Sequence, residues 1–227
     1  MLKYGYTHKG ECIYFRKINH KKIRTKNMGK TIGEVATIRT GLVTARKKVE
    51  QNAIIRYQYK MLNLKCVASE GYINKEYVED YEASLPLKLD CLTQMGDILV
   101  RLSAPYTAVL IKEQDLCGLV IPSHFAIIRV NRRIVLPEYM YWTLGRDKIN
   151  VRIKQNSSGS TAFGTISSGA IASLPIRIIP IEKQRILSEL LRLTEREQEL
   201  LYKLSTEKEK YNKELINRIY NTIKEGK

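Results

Sequence analysis

Nowhere does this chain hold the run of about 20 consecutive apolar residues that a membrane span requires. Its first residues are too polar and too basic for a secretory leader, so a cytoplasmic location is the expectation. Cysteine is sparse: Cys12, Cys66, Cys91 and Cys117 are scattered, with no two-residue gap of the kind that builds a zinc knuckle or a redox motif. They read as structural thiols in a reducing compartment. His8, His20 and His124 stand equally apart and form no i, i+4 pair, so neither a metal nor a cofactor is expected.

Catalytic motifs are missing as well. No Asn-Pro or Pro-Pro dipeptide occurs, which excludes the Asn-Pro-Pro-Tyr-like tetrapeptide of a methyltransferase. Gly29-Lys30-Thr31 has the look of the end of a phosphate-binding loop, but the upstream glycine such a loop requires falls on Arg24. A metal-dependent nuclease wants clustered carboxylates beside a Glu-x-Lys, and that tripeptide occurs here solely as Glu225-Gly226-Lys227. A non-catalytic protein is expected.

Acidic residues are rarest at the front. Residues 1–30 hold nine Lys or Arg and one Glu, for +8; residues 31–181 hold 19 against 13, for +6; residues 182–227 hold 11 against nine, for +2, and the three sum to the formal +16. Such a charge favours a polyanionic partner. Lys17, Lys21, Lys22, Arg24 and Lys26 crowd together behind Tyr14 and Phe15, which suits lying along phosphates; a solvated basic tail is the alternative.

At 227 residues there is room for one domain and an appendage. Thr31 to Gly41 combines a short amphipathic turn with a strand-like run that ends at a glycine. Residues 42–95 are harder to read, with Tyr57, Tyr59, Tyr72, Tyr77 and Tyr81 spread through polar sequence as interface aromatics or half-buried strand residues. From Gly96 the pattern sharpens: 97–103, 107–111 and 125–130 read as consecutive strands of a core sheet, bounded by Pro105, Gly118 and Pro122. Pro137 suits the first turn of a helix running through Tyr139, Met140, Trp142, Leu144, Ile149 and Ile153, whose aromatic stripe reads as core. Residues 156–169 read as a loop of glycines and small hydroxyl residues, and 174–179 as a further strand.

From Glu182 to Glu225 there is neither glycine nor proline, which predicts one helix of about 65 Å at 1.5 Å per residue. Ile186, Leu190, Leu193, Leu200 and Leu204 recur at four and three spacings across an interruption at Glu197, and Tyr211, Leu215, Ile219 and Ile223 extend the stripe. Folded back on its own domain, so long a stripe would stay partly wet, so a partner molecule is the preferred cover.

Three of these runs together resemble the specificity (S) subunits of type I restriction-modification systems. They are Gly96-Asp-Ile-Leu-Val-Arg-Leu-Ser103, the Gly159-Ser-Thr161 loop ending in Ile166-Ser167, and Leu174-Pro-Ile-Arg-Ile-Ile-Pro180 leading into Ile181-Glu-Lys-Gln-Arg-Ile-Leu187. Ile32-Gly-Glu-Val-Ala36 is similar to the opening of the family's domain. The resemblance implies an α+β fold: a mixed sheet-and-helix target recognition domain, residues 1–181, and a long helix, 182–227, forming an antiparallel coiled coil on dimerisation. It implies a double-stranded DNA partner and a methyltransferase subunit that supplies the methyl transfer, with a restriction subunit as an optional further member.

Complete members carry two such domains and two helices; this chain has one of each, which implies a half-subunit that homodimerises and reads a split palindrome. Recognition then needs phosphate anchors and base readers on loops. Candidates are Arg39, Thr40, Arg46, Lys47 and Lys48 around Gly41, Ser157, Ser158, Ser160 and Thr161 in the glycine-rich loop, and Ser103 and Tyr106. A stand-alone dimeric transcriptional regulator is the alternative function.

Overall fold

The computed structural model describes residues 29–44, 57–68, 71–104, 106–145 and 165–226. Runs such as Ile98-Leu-Val100 and Phe125-Ala-Ile-Ile128 lack polar alternation, so a strand made of them must be covered on both faces. The central sheet does this. Strand β5 (Ile98–Arg101) lies between β6 (Ala108–Leu110) and β7 (Phe125–Val130), and β2 (Ala36–Thr40) pairs with the far side of β7, giving the antiparallel order β2-β7-β5-β6.

Successive side chains of a strand point to opposite faces. Ile98, Val100, Ala126 and Ile128 therefore enter one core, while Leu99, Phe125 and Ile127 enter another. The first core is roofed by helix α1 (Pro137–Gly145), through Tyr139, Met140 and Leu144, and by the short helix α2 (Ser168–Ala172), through Ile171. The second is filled by Leu62, Cys66, Val67 and Ile73 from an irregular excursion and by Leu116, Leu119 and Ile121. Burial pushes the Cys66 thiol up, as befits a structural cysteine.

Two smaller pairings complete the sheet-bearing part. Strand β1 (Lys30–Thr31) pairs antiparallel with β8 (Pro175–Ile176), tying the front of the described chain to the segment just before the long helix. Strand β3 (Tyr57–Met61) pairs with β4 (Glu79–Ala83), with Tyr59 opposite Tyr81 and Lys60 opposite Asp80. This pair joins the rest through Leu62 N donating to the Val120 carbonyl at 3.0 Å and Val120 N to that of Lys60 at 2.8 Å.

The three strands and the Pro137 helix start expected from sequence are present; two details differ and one lies outside the described residues. Residues 174–179 form a strand only at Pro175–Ile176, because the partner, Lys30–Thr31, is itself two residues long. The tail of the expected glycine-rich loop is helical: Ser167 caps α2 by accepting from Ala170 N at 3.0 Å, a device that turns a run of small residues into a helix start. Helix α1 is described as far as Gly145; Ile149 and Ile153 lie outside the described residues.

The last element is helix α3 (Ile181–Glu225), one unbroken rod of 45 residues whose start is set by Pro180. Among the described residues, its first four turns make the contacts with the sheet-bearing part. Leu187 packs against the first core, Gln184 is fully buried, and Lys112 Nζ reaches Glu195 Oε2 at 2.6 Å.

Candidate nucleic-acid interface

An ionic chain runs from the buried Asp97 through Arg129 to the half-exposed Asp90 and Arg39. Gly96 adopts a positive φ of 86°, and a Cβ there would meet Arg132 Nη2 at 2.3 Å and Pro137 Cγ at 3.1 Å, so only glycine makes this turn without strain. The turn delivers Asp97 into the interior, where it accepts from Gln94 N at 2.9 Å and takes a two-pronged ion pair from Arg129, Nε to Oδ1 at 2.8 Å and Nη2 to Oδ2 at 3.0 Å. Arg129 also donates to the Leu92 carbonyl at 2.8 Å and lies 3.3 Å from Asp90 Oδ1, whose other carboxylate oxygen pairs with Arg39. Burial of Asp97 is tolerable because its charge is matched and hydrogen-bonded.

Arg39 thus sits on strand β2 rather than on a loop, in an ion pair with a half-exposed Asp90. Its neighbour Thr40 lies within 3.3 Å, Oγ1 to Oγ, of Ser168 at the start of α2. Ser103 pairs in an isolated antiparallel bridge with Thr165, Ile166 N donates to the Leu102 carbonyl at 2.9 Å, and Ser103 Oγ accepts from Arg101 Nε at 3.2 Å. Tyr106 packs partly buried against the first core. The structure therefore brings Thr40 and Ser103, one from each of two sequence clusters, to the segment into which the glycine-rich loop leads, whereas Arg39 turns to the other face of the sheet toward Asp90. Lys17, Lys21, Lys22, Arg24, Lys26, Arg46, Lys47, Lys48, Ser157, Ser158, Ser160 and Thr161 lie outside the described residues.

Sequence reading gave no role to Asp90, Asp97, Arg129 or Gln184. The available signals were an acidic residue directly after a glycine and ahead of an apolar strand, and a lone amide in the first turn of an otherwise amphipathic helix. Gln184 uses its amide fully: Oε1 accepts from Leu136 N at 2.9 Å, and Nε2 donates to the carbonyls of Ile134 at 2.9 Å and Ile179 at 2.7 Å.

Among the described residues nothing covers the apolar stripe of α3. The nine stripe residues, Ile186, Leu190, Leu193, Leu200, Leu204, Tyr211, Leu215, Ile219 and Ile223, are each at least 41% exposed. Its other faces carry ladders of charge such as Arg196 and Lys203 on either side of Glu199, which hold that carboxyl below the usual range. Among the described residues no group of three or more His, Cys, Asp or Glu could hold a metal, and no helix is long and apolar enough to cross a membrane.

A sheet-bearing body followed by a long helix is a recognisable architecture. In fold the chain is similar to the HsdS subunit from Thermoanaerobacter tengcongensis, with a TM-score of 0.55 at 17% identity over 75% of this chain and 42% of that one. It is equally similar, with a TM-score of 0.56 at 19% identity and the same coverages, to a chain from a structure on complex assembly and conformational transition of the type I R-M system. No family model matches the sequence, and no curated protein does. The chain thus has the S-subunit-like α+β fold, a mixed sheet-and-helix part followed by the long helix, and spans about two fifths of the length of each of those two proteins.

Proposed function

We propose that this chain is the non-catalytic DNA-recognition component of a type I-like restriction-modification complex. Residues 1–181 are its target recognition domain and 182–227 its coupling helix. The fold supports this reading, as do the basic front of the sequence and the absence of methyltransferase, ATPase and nuclease motifs. The observation that carries it is the exposed stripe of α3: nine large apolar side chains along about 60 Å of helix need a protein to cover them.

The cover is a second copy. A two-fold pair of antiparallel helices would set two identical readers at opposite ends of one rod, so the recognised site is a split palindrome with a fixed spacer. DNA is contacted by Arg39, Thr40, Ser103 and Tyr106, with phosphate contacts from Arg46, Lys47, Lys48 and the basic front, and backbone contacts from Ser157, Ser158, Ser160 and Thr161. A methyltransferase subunit docks on the helix pair and performs adenine methylation.

Mapping of methylated bases in cells with and without the gene is the test. One split motif, methylated on adenine only when the gene is present, together with co-purification of a methyltransferase, is the expected result. Tight operator binding by the chain alone, with no change in methylation, would replace this reading with that of a dimeric transcriptional regulator.

A further inference from the structure

The attachment of α3 to the sheet-bearing part has a polar contact at each end, with Leu187 on the first core near the upper one and a cleft alongside. The upper point is Gln184, completely buried, whose amide ties together three backbone groups from two segments: Ile134 and Leu136 ahead of α1, and Ile179 just before α3. The lower point is the Lys112–Glu195 ion pair, 11 residues and about 16 Å further along the rod. Lys112 Nζ also stands 6.0 Å from the centre of the Tyr141 ring, so the cation is held against α1 as well as against α3.

Below Leu187 the two elements flank a cleft. A cavity of 530 Å³ is walled on one side by Leu136, Tyr141 and Trp142 and on the other by Ser188, Leu191 and Arg192. The Ser188 hydroxyl lies buried there without a hydrogen-bond partner among the described residues, although buried hydroxyls are as a rule satisfied. Well-packed interfaces transmit position rigidly, whereas a void leaves the elements beside it free to tilt. Beside this cleft the direction of the rod depends on Leu187 and on the polar contacts at Gln184 and Glu195.

We infer that Gln184 is a positioning residue which, with the Lys112–Glu195 pair, fixes the angle at which α3 leaves the reader. Gln184 is the pivot, because three short hydrogen bonds to backbone on both sides of it allow rotation but no sliding. The ion pair is the stop, because it acts at a distance from the pivot where a small tilt separates the charges. On the proposed function, on which this consequence rests, the angle sets the distance between two readers on one helix pair, and so the spacer length that is accepted. A tilt of the rod of about 10° moves a point 45 Å from the pivot by about 8 Å, which is more than two base-pair steps of about 3.4 Å.

The inference is tested on the full-length chain with spin labels on an exposed position of β4 and on the outer face of α3 near residue 213, read as a distance distribution by pulsed electron resonance. Gln184→Met keeps the volume but strips all three hydrogen bonds; Lys112→Glu opposes the stop, and Lys112→Glu with Glu195→Lys restores it. The expected result is a narrow distribution in the parent protein, a broadened one in Gln184→Met and in Lys112→Glu, and recovery of the narrow one in the charge-swapped double variant. That recovery separates positioning from mere loss of stability, and it keeps the test open should Gln184→Met fail to fold. Distributions of unchanged width in Lys112→Glu, or no recovery in the swap, would overturn the inference. If the parent protein binds no DNA, the proposed function falls while the distances still decide the joint; if it does bind, Lys112→Glu is expected to accept spacers of several lengths where the parent accepts one.

Discussion

The two halves of this chain manage apolar surface in opposite ways. In the sheet-bearing part, β5 and β7 hide both of their faces, and Phe125, Ile98, Leu99, Ile127 and Ile128 are at most 1% exposed. In α3, residues of the same chemistry at Ile186, Leu204 and Ile223 stand at 65% exposure or more. The first part is a finished core. The second has the helical period and the charge ladders of a soluble surface, and among the described residues nothing covers its stripe; on the proposed function the stability of the one is internal and that of the other depends on association.

Substitutions should therefore separate the two. Phe125→Ala opens a hole where both sheet neighbours are rigid and is expected to cost about 3–5 kcal/mol in denaturant unfolding of the sheet-bearing part; a loss below 1 kcal/mol would mean that the core is looser than it looks. Leu200→Asp with Leu204→Asp should leave that unfolding transition in place while weakening self-association at least about a hundredfold, since each leucine contributes about 1.5–3 kcal/mol when buried. Gel filtration against concentration reads this, and unchanged elution would locate the contact elsewhere.

Gly96→Ala probes the turn that delivers Asp97. A positive φ with a side chain costs about 1–2 kcal/mol, and the Arg132 tip must also move. A neutral result in thermal unfolding would show that the turn relaxes at no cost.

The smallest effect concerns pH. Lys75 bonds to Asp115 and Glu113, both at 2.6 Å, which holds the Asp115 carboxyl below its usual range and raises the Lys75 ammonium. A depressed carboxyl contributes stability that is present above its unfolded pKa of about 3.9 and lost as pH falls through the lower folded value. A raised ammonium contributes stability that is full below its unfolded pKa and lost as pH rises through the higher folded one. All three groups are about half exposed, so Lys75→Met should only slightly flatten the urea midpoint against pH at both extremes. Identical profiles would show that water screens the cluster entirely.

The sequence made the helix legible from end to end, because an uninterrupted run without glycine or proline has one outcome and its stripe repeats many times. Strands β5 and β7 were legible for a similar reason, as β-branched runs between turn residues. What stayed hidden was long-range. The antiparallel register of β2 on β7, the Asp97–Arg129–Asp90–Arg39 chain and the Gln184 anchor link residues 30 to 90 positions apart, and no local pattern encodes such pairings. Strand β4, Glu-Asp-Tyr-Glu-Ala, was hidden by its charge, since only Tyr81 and Ala83 face inward. Helix α2 was missed because Ser-Gly-Ala reads as loop until Ser167 is recognised as a cap. At the candidate interface, the strand-like run before Gly41 is strand β2, and what the sequence did not reveal is the acidic partner that Arg39 meets there.

The most direct test is sedimentation equilibrium of the intact chain at moderate salt, with no other protein present. A dimer whose dissociation is driven by Leu200→Asp and Leu204→Asp is the result this account predicts. A monomer at every accessible concentration would contradict it.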